Sequence, residues 1–493
     1  MGKPITLNVL EDGAMYTSAA KIHPRETSGT LQRLRTAAVF WLLGMFYLFP
    51  WISWSGRQVV LFDLPARKFH VFGWTFWPQD FFYLAMLLMI AAFALFFFTA
   101  LAGRLWCGYA CPQTVWTEVF LWMERWTEGP RHRRIALDAA PWSADKLRRK
   151  GAKQLLWIGF ALWTGFTFVG FFTPIRALGT DALHAEVSGW ALFWILFYAL
   201  ATYGNAGYLR EQVCKYMCPY ARFQGAMFDR DTLIIAYDER RGEARGARRR
   251  TVPSVLAPNT PSTSGSIPVV DALLDSHAPP VIDRKPALGD CIDCTICVQV
   301  CPTGIDIRDG LQIECIACGA CIDACDTVMD KLDYPRGLIR YSTLNSVQGR
   351  RGRVLRPRIL IYSAILVVLV VGFAWSMGHR VPLIVDVLHD RNALYRLGAD
   401  GSVENSYTLK VMNKDQRAHR YAVLIESPIP LAIATGQDEF DAGPEQLLER
   451  PLSLRAGPGV APAVTTITVR LRSRTDDQVE YAQEARFLGP SDD

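Results

Sequence analysis

Five stretches of the chain run for about 20 residues without a charged side chain, the length that crosses the hydrocarbon core of a bilayer, and no other feature limits the fold as much. They lie between Arg35 and Arg57, Asp80 and Arg104, Lys153 and Arg176, Glu186 and Arg210, and Arg358 and Arg380. A buried helix of a soluble enzyme rarely stays apolar on every face for so long, and five in one chain argue for lipid as the solvent. Composition agrees: half of the 493 residues are hydrophobic, 12% are aromatic and only 20% are charged. The spacing predicts transmembrane helices near residues 36–56, 81–103, 154–175, 187–209 and 359–379. The first follows a polar, basic leader over 1–35 with no small-residue cleavage pattern, so it reads as an uncleaved helix and not as a signal peptide.

The distribution of lysine and arginine predicts the orientation. The segment Arg104 to Lys153 carries Arg125, Arg131, Arg133, Arg134, Lys146, Arg148, Arg149 and Lys150, whereas the connection after the third stretch has Arg176 alone. On this reading the leader and the long region 210–358 are cytoplasmic, and 56–79, 177–187 and the carboxyl tail face outward. The later runs Arg240, Arg241, Arg245, Arg248 to Arg250 and Arg350 to Arg358 agree. Such runs beside a membrane are topology signals first. With a net charge of only +6, no nucleic-acid partner is expected.

The helical domain is expected over 36–238. Residues 239–283 read as a basic and Pro/Ser-rich linker, whose Thr251 to Pro280 portion has the composition of a flexible connector. Beyond the fifth helix, residues 380–493 alternate apolar and polar positions between turn residues, as in Ser406-Tyr-Thr-Leu-Lys-Val-Met and Val464-Thr-Thr-Ile-Thr-Val-Arg-Leu-Arg. Short alternating strands of this kind predict a β-sandwich. It contains no cysteine.

Between linker and fifth helix, residues 284–340 carry Cys291-Ile-Asp-Cys294-Thr-Ile-Cys297-Val-Gln-Val-Cys301-Pro302 and Cys315-Ile-Ala-Cys318-Gly-Ala-Cys321-Ile-Asp-Ala-Cys325. Two-residue gaps let three thiolates of one loop take three corners of a cubane, while the fourth cysteine of each motif ligates the other cluster. This predicts one [4Fe-4S] cluster on Cys291, Cys294, Cys297 and Cys325, and a second on Cys315, Cys318, Cys321 and Cys301. Zinc ribbons use two cysteine pairs instead, and disulfides do not suit a cytoplasmic module. Asp326 stands where the first motif has its proline, which predicts a change in local packing.

The remaining four cysteines form an internal repeat: Cys107-Gly-Tyr109-Ala-Cys111-Pro112 after the second stretch and Cys214-Lys-Tyr216-Met-Cys218-Pro219 after the fourth, each preceded by an arginine, Arg104 or Arg210. If the helix continues, cysteines at i and i+4 share a face and the proline opens the next segment. Four soft thiolates could then converge on one redox or metal site, suited to Cu(I) and less specifically to zinc or another iron-sulfur cluster. The plainer alternative is that Cys and Pro simply pack a helix turn. His70, His184 and His379 beside Met377 are expected to be ordinary interfacial residues, and Trp74, Trp77, Trp190 and Trp194 an aromatic belt. No nucleotide-binding glycine motif, haem attachment site or hydrolase triad is present.

These motifs, with Ala66-Arg-Lys-Phe-His-Val-Phe-Gly-Trp-Thr-Phe-Trp-Pro-Gln-Asp80 and Cys214-Lys-Tyr-Met-Cys-Pro-Tyr-Ala-Arg-Phe-Gln-Gly225, make the chain resemble the cytochrome c oxidase accessory proteins called CcoG, FixG or RdxA. The resemblance implies a multi-domain protein of the bacterial inner membrane. Its expected parts are a five-helix transmembrane bundle, a cytoplasmic 2[4Fe-4S] bacterial ferredoxin-like module and a periplasmic immunoglobulin-like β-sandwich. It implies a cupric reductase that supplies Cu(I) for copper-centre assembly in haem-copper cytochrome c oxidase. Cys107, Cys111, Cys214 and Cys218 would be its catalytic, copper-binding thiols. Haem-copper oxidase subunits or assembly factors would be its partners, and a quinol or cytoplasmic carrier its electron donor. Two alternatives remain open at this point: a quinol dehydrogenase-like respiratory conduit, and a non-catalytic copper carrier or assembly scaffold.

Overall fold

The computed structural model describes residues 21–54, 56–247, 288–380, 382–390, 393–476 and 479–490. The Thr251 to Pro280 connector and the first twenty residues of the leader lie outside them. The chain divides into two compact units, one built from residues up to Phe46, Leu95–Phe166 and Leu192–Tyr362, the other from Tyr47–Ala94, Thr167–Ala191 and Ser363 onward.

Three helices are long and apolar enough to cross a membrane: Thr30–Trp51, Pro78–Ala102 and Pro357–Gly378. Only 6% of the apolar window of the last is covered by protein, so its Leu, Ile and Val side chains need a non-aqueous surrounding. The other two charge-free stretches are also helical but differ in form. The third lies on Ala144–Val169, which begins ten residues before the expected 154 because its first turns are amphipathic: Lys150 and Lys153 reach the Glu128 carboxylate at 3.0 and 2.8 Å. It stops at Val169, ahead of Gly170, and Pro174 opens the short helix Ile175–Leu183. The fourth is α-helical only over Gly189–Thr202 and then widens into a π-helix over Tyr203–Leu209.

The first helix also departs from the expected 36–56. It starts at Thr30, ends as an α-helix at Leu48 and finishes in a 3-10 turn, Phe49–Trp51, that contains Pro50. The early start has a physical cause distant in sequence. The Asp323 carboxylate accepts the backbone N–H groups of Gln32 at 2.7 Å and Leu31 at 3.3 Å, and so satisfies amides that a helix N-terminus leaves free. Arg35, expected at the polar edge, is buried against Glu118 at 2.7 Å.

In the first unit, a core of Val39, Val115, Phe120, Trp157 and Ala199 joins the helical segments. Above Trp157 runs a buried ionic network. Glu124 is wholly buried and pairs with Arg210 at 2.7 Å and Arg134 at 3.5 Å. Several cations of the 104–153 connection are therefore ion-pair partners as well as charge bias. The cysteine-rich module forms a second core that includes Ile235, Tyr237, Leu338 and Ile339. Strand Ile234–Tyr237, from the end of the expected helical domain, pairs antiparallel with Ile339–Ser342, so the module is closed by chain from both sides of the linker.

In the second unit, the tail forms the expected two-sheet sandwich. One sheet runs Leu431–Thr435, Leu447–Ala456, Val403–Asn413, Leu383–His389, with Arg396–Leu397 also on Val403–Asn413; the other runs Glu439–Ala442, His419–Glu426, Val464–Ser473, Glu480–Leu488. Alternate residues such as Leu409, Val411, Leu454, Val469 and Leu471 point into one core, the period-2 signature of a half-buried strand. The same unit holds a feature the sequence reading treated as a loop, a three-stranded sheet of Val60–Asp63, Lys68–Val71 and Trp74–Phe76.

Candidate metal centres

Each ferredoxin loop bends through two left-handed residues placed identically about its second cysteine. In the first they are Asp293 and Thr295 (φ 53° and 55°), in the second Ala317 and Gly319 (φ 53° and 78°). Alternation of right- and left-handed residues turns successive backbone N–H groups inward, a concavity that suits the negative charge of an iron-sulfur core. Helices Ile296–Gln299 and Ala320–Lys331 carry Cys297, Cys321 and Cys325. Asp326 extends the second of these where a proline would restrict the backbone. Its carboxylate accepts the Gly337 N–H at 2.9 Å.

The chain brings the eight thiols together in two crossed sets. Cys325 has Cys297, Cys294 and Cys291 as its electrostatic neighbours, and Cys301 lies beside Cys315 and Cys318. Cys301, Cys315, Cys318 and Cys321 line one cavity, and Cys297 reaches its wall. Burial pushes the thiols of Cys315 and Cys325 up to about 12 and that of Cys297 up to about 11. Thiolates in such a place need a cation in exchange for the lost proton. Among the described residues, no three His, Cys, Asp or Glu side chains come close enough to share a single metal ion. Tetrahedral zinc at about 2.3 Å from each sulfur needs that closeness, whereas a polynuclear cluster holds its thiolates farther apart. The donor set therefore fits iron-sulfur clusters.

The repeated membrane motifs follow different rules. The helix does not continue through them, so the condition under which cysteines at i and i+4 share one helical face is not met. Cys107 lies on the short helix Leu105–Tyr109 and Cys214 on a π-turn, Val213–Met217. Cys111 (φ −62°, ψ 128°) and Cys218 (φ −80°, ψ 108°) are extended, and each immediately precedes a new helix, Pro112–Glu128 or Pro219–Met227. The cause is the proline, which drives the residue before it out of the helical region and then supplies the first helical position. The four thiols still meet: Cys107 has Cys111, Cys214 and Cys218 as electrostatic neighbours, and Cys214 has Cys111 and Cys218. Burial raises Cys107 to about 12 and Cys214 to about 11. The Cys107 thiol points to the buried Gln224 at 3.4 Å.

Cys107 and Cys214 pack against the same core as the ferredoxin cysteines. At Gly108 an added Cβ would lie 2.8 Å from the Ile316 carbonyl oxygen and 2.9 Å from the Cys318 Cα, so the first motif's backbone rests directly on the Cys315–Cys318 loop. The Arg104 guanidinium donates to the carbonyls of Ile313 and Ala221, joining that loop to the helix after Cys218. Tyr341 donates to the Ala317 carbonyl at 2.6 Å and lies 3.2 Å from the Tyr109 hydroxyl. Asp323, Gly108, Gln224 and Tyr341 were not singled out from sequence. Gly108 left a trace, since the other copy of the repeat has Lys215 in its place.

Among the described residues, no histidine belongs to a group of three side chains that could hold a metal ion. His184 and His379 are exposed and lie 2.8 and 2.9 Å from backbone carbonyls of their own helices. His70 is buried, contrary to the expectation of an interfacial residue. It sits 3.0 Å from Thr75 beside the Arg57–Glu445 ion pair, and burial with the Arg57 charge lowers it from the usual imidazole range. Trp77 is also buried, under the Lys68 ammonium, so it does not belong to an exposed belt with Trp74 and Trp190.

Three family models match the chain. A "4Fe-4S dicluster domain" covers residues 209–265 and 276–344, a "4Fe-4S binding domain" covers 84–130, and the "IG-like fold at C-terminal of FixG" covers 373–490. Among curated relatives, "Nitrogen fixation protein FixG" of Rhizobium meliloti is 37% identical over 84% of this chain and 80% of its own length. "Protein RdxA" of Cereibacter sphaeroides is 35% identical over 94% of this chain and 95% of its own length. A solved structure, a FixG-related protein from Vibrio parahaemolyticus, is 33% identical over 22% of this chain and 95% of that one, with a TM-score of 0.20.

Proposed function

This chain belongs to the FixG/RdxA family of iron-sulfur redox proteins, and from that premise we propose that it reduces Cu(II) to Cu(I) for copper-centre assembly of a haem-copper cytochrome c oxidase. Cys291, Cys294, Cys297 and Cys325 hold one [4Fe-4S] cluster, and Cys315, Cys318, Cys321 and Cys301 the other. When bound, these clusters supply one-electron transfer at low potential. The electrons come from a reduced donor and are accepted by Cu(II) at the Cys107, Cys111, Cys214 and Cys218 site. A cytoplasmic one-electron carrier reduces one Cu(II), whereas a membrane quinol, oxidised to the quinone with release of two protons, reduces two Cu(II) in turn. Soft thiolates favour the cuprous product, so the site's chemistry and the direction of transfer agree.

The observation that carries this reading is the contact of Gly108 with Ile316 and Cys318. It sets the membrane thiols against the loop of the second cluster with no intervening layer. Arg104 holds the two together and offsets negative charge near Cys107, Cys214 and Cys315. The buried Gln224 accepts from the Cys107 thiol at 3.4 Å and helps to orient it.

The membrane arrangement follows the sequence reading. Five helices cross a bacterial inner membrane, with the leader and the ferredoxin module in the cytoplasm and the sandwich in the periplasm, where it meets oxidase assembly factors or subunits. The test is anaerobic reduction of Cu(II) by the pre-reduced, detergent-purified protein, read as a Cu(I)-chelator complex. One Cu(I) per electron lost supports the reading. Oxidation only by a quinone would replace it with a respiratory conduit, and tight copper binding without reduction with a scaffold.

A further inference from the structure

Each copy of the membrane repeat has an arginine ahead of its first cysteine, and the two arginines have different partners. Arg210 is held by the Glu124 carboxylate. Arg104 pairs with no carboxylate among the described residues: it is 4% exposed, its guanidinium donates to the carbonyls of Ile313 and Ala221, and its Nε is left without an acceptor. We propose that Arg104 is a positioning residue whose uncompensated charge raises the reduction potential of the cluster held by Cys301, Cys315, Cys318 and Cys321. That keeps this cluster able to accept an electron from the one held by Cys291, Cys294, Cys297 and Cys325. The proposal deepens the preceding reading and rests on it for the cluster ligands and for copper as the final acceptor.

The need for such a charge follows from burial. Reduction adds an electron to a centre that is already anionic, and a low-dielectric surrounding disfavours the extra charge. The first set has one exposed thiol, Cys294; in the second, Cys318 and Cys321 are buried and Cys301 and Cys315 half-buried. Burial alone would place the second potential below the first and set an uphill step on the path toward the membrane thiols.

Hydrogen bonding widens that gap. Tyr237 and Arg308 both hydrogen-bond to Cys291, and a donor to a ligand sulfur favours the more negative, reduced cluster. Glu243, at 3.4 Å, is the competing acceptor for Tyr237. Tyr341 stands on the strand that pairs with the strand of Tyr237, but its hydroxyl goes to the Ala317 carbonyl at 2.6 Å and not to a sulfur.

The charges about the two sets show what offsets it. In the first set Arg308, near Cys297, is neutralised by Asp293 at 2.5 Å and Asp306 at 2.6 Å, and Asp326 stands beside Cys325. Near the second set, Arg35 faces Cys318 but is paired with Glu118 at 2.7 Å, and Asp323 is engaged with the Leu31 and Gln32 amides. Arg104 faces Cys315 on one side and Cys107 and Cys214 on the other. Glu314 precedes Cys315 and Glu211 lies beside Cys214, but neither pairs with Arg104. Of the guanidinium groups beside the two sets, Arg104 alone lacks a carboxylate partner among the described residues. A buried charge without a counter-ion is weakly screened, so it acts on the second cluster nearly undiminished.

The test is a potentiometric titration of the full-length, copper-free protein, followed by low-temperature EPR, for the native chain, R104Q and R104K. The signal of the second set is the one that C318A loses. R104Q is expected to keep both clusters, about eight iron per chain, with the second midpoint moved to lower potential and the first moved less. R104K, which keeps the charge, is expected to titrate as the native protein does. An unmoved second midpoint in R104Q, or an equal fall in R104K, would overturn the proposal. Should R104Q lose the second cluster, R104K decides: both clusters at the native midpoint uphold the role of the charge, whereas a lowered midpoint or a lost cluster would make Arg104 a structural tie only. The potentials are measured without copper, so failure of the cupric reading and failure of this proposal are told apart.

Discussion

The two kinds of cysteine site in this chain bring four thiols together by opposite means. The ferredoxin loops do it locally, bending a few residues through left-handed positions at Asp293, Thr295, Ala317 and Gly319, so the cluster is gripped by one short segment plus one cysteine from the partner motif. The membrane motifs do it by long-range assembly. Each presents one thiol on a helical turn and one at a proline-started helix, and two copies 107 residues apart, as Cys107 and Cys214 show, must be brought together by the packing of other elements. The first arrangement is robust because its geometry is written into the backbone. The second depends on ties such as Glu124 with Arg210 and Gly108 with the Cys315 loop.

Removing a ligand should have the largest effect and should differ between the sites. Cys321→Ala is expected to lose about four iron atoms per chain and to abolish copper reduction, measured by iron analysis and the chelator assay. Retention of full activity would sever the ferredoxin set from electron transfer.

The next effect concerns the long-range tie. Glu124 lies in Pro112–Glu128, which starts at Cys111, and Arg210 precedes Cys214. Burial alone would raise the Glu124 carboxyl, but Arg210, Lys21 and Arg134 outweigh it and hold it at about 2, against an ordinary value of 4.5. Because the folded value is the lower one, the stabilisation is complete above about pH 4.5 and disappears as pH falls toward 2. Its size is about 3 kcal/mol. Glu124→Gln should therefore lower the denaturation midpoint at pH 7 and abolish the acid dependence that this group contributes; an unchanged midpoint would contradict the tie.

Asp323→Ala should cost about 1–2 kcal/mol by freeing the Leu31 and Gln32 amides at the start of the first helix, with the iron content unchanged. Chemical denaturation followed by helical circular dichroism would detect it. A loss of iron would mean that Asp323 serves the cluster and not the cap.

The most discriminating comparison sets the two copies of the repeat side by side, and its control, at Lys215, has the smallest expected effect. Gly108→Val drives a side chain into the Ile316 carbonyl and the Cys318 backbone, an overpacking that costs about 1–3 kcal/mol, and should slow electron transfer between the sets. Lys215→Val at the matching position should stay within about 0.5 kcal/mol and leave the rate unaltered. Equal behaviour of the two variants in melting and in single-turnover kinetics would erase the asymmetry.

Sequence revealed best what ligand or strand geometry imposes at short range. The ferredoxin spacing, the alternation of 406–412 and 464–472, and the apolar lengths of three helices are properties of contiguous residues, and they could be read before folding. Boundaries set from a distance could not. The first helix begins at Thr30 because a carboxylate nearly three hundred residues later accepts its amides. The sheet of residues 60–76 consists of strands only three or four residues long, too short for periodicity to register. Pro112 and Pro219 read from sequence as openings of new segments, but whether a helix continued up to them stayed an open condition, because the force of each proline on Cys111 and Cys218 shows only in the folded backbone.

The account's central claim is that the reduced protein delivers electrons to Cu(II) through the membrane thiols. Anaerobic stopped-flow spectroscopy tests it most directly, by mixing the pre-reduced chain with Cu(II) and a Cu(I) chelator and following cluster reoxidation beside the C107A variant. The account predicts fast reoxidation with one Cu(I) formed per electron lost, and a marked slowing in the variant whose ferredoxin clusters remain intact. Equal rates in both proteins, or reoxidation that yields no Cu(I), would contradict it.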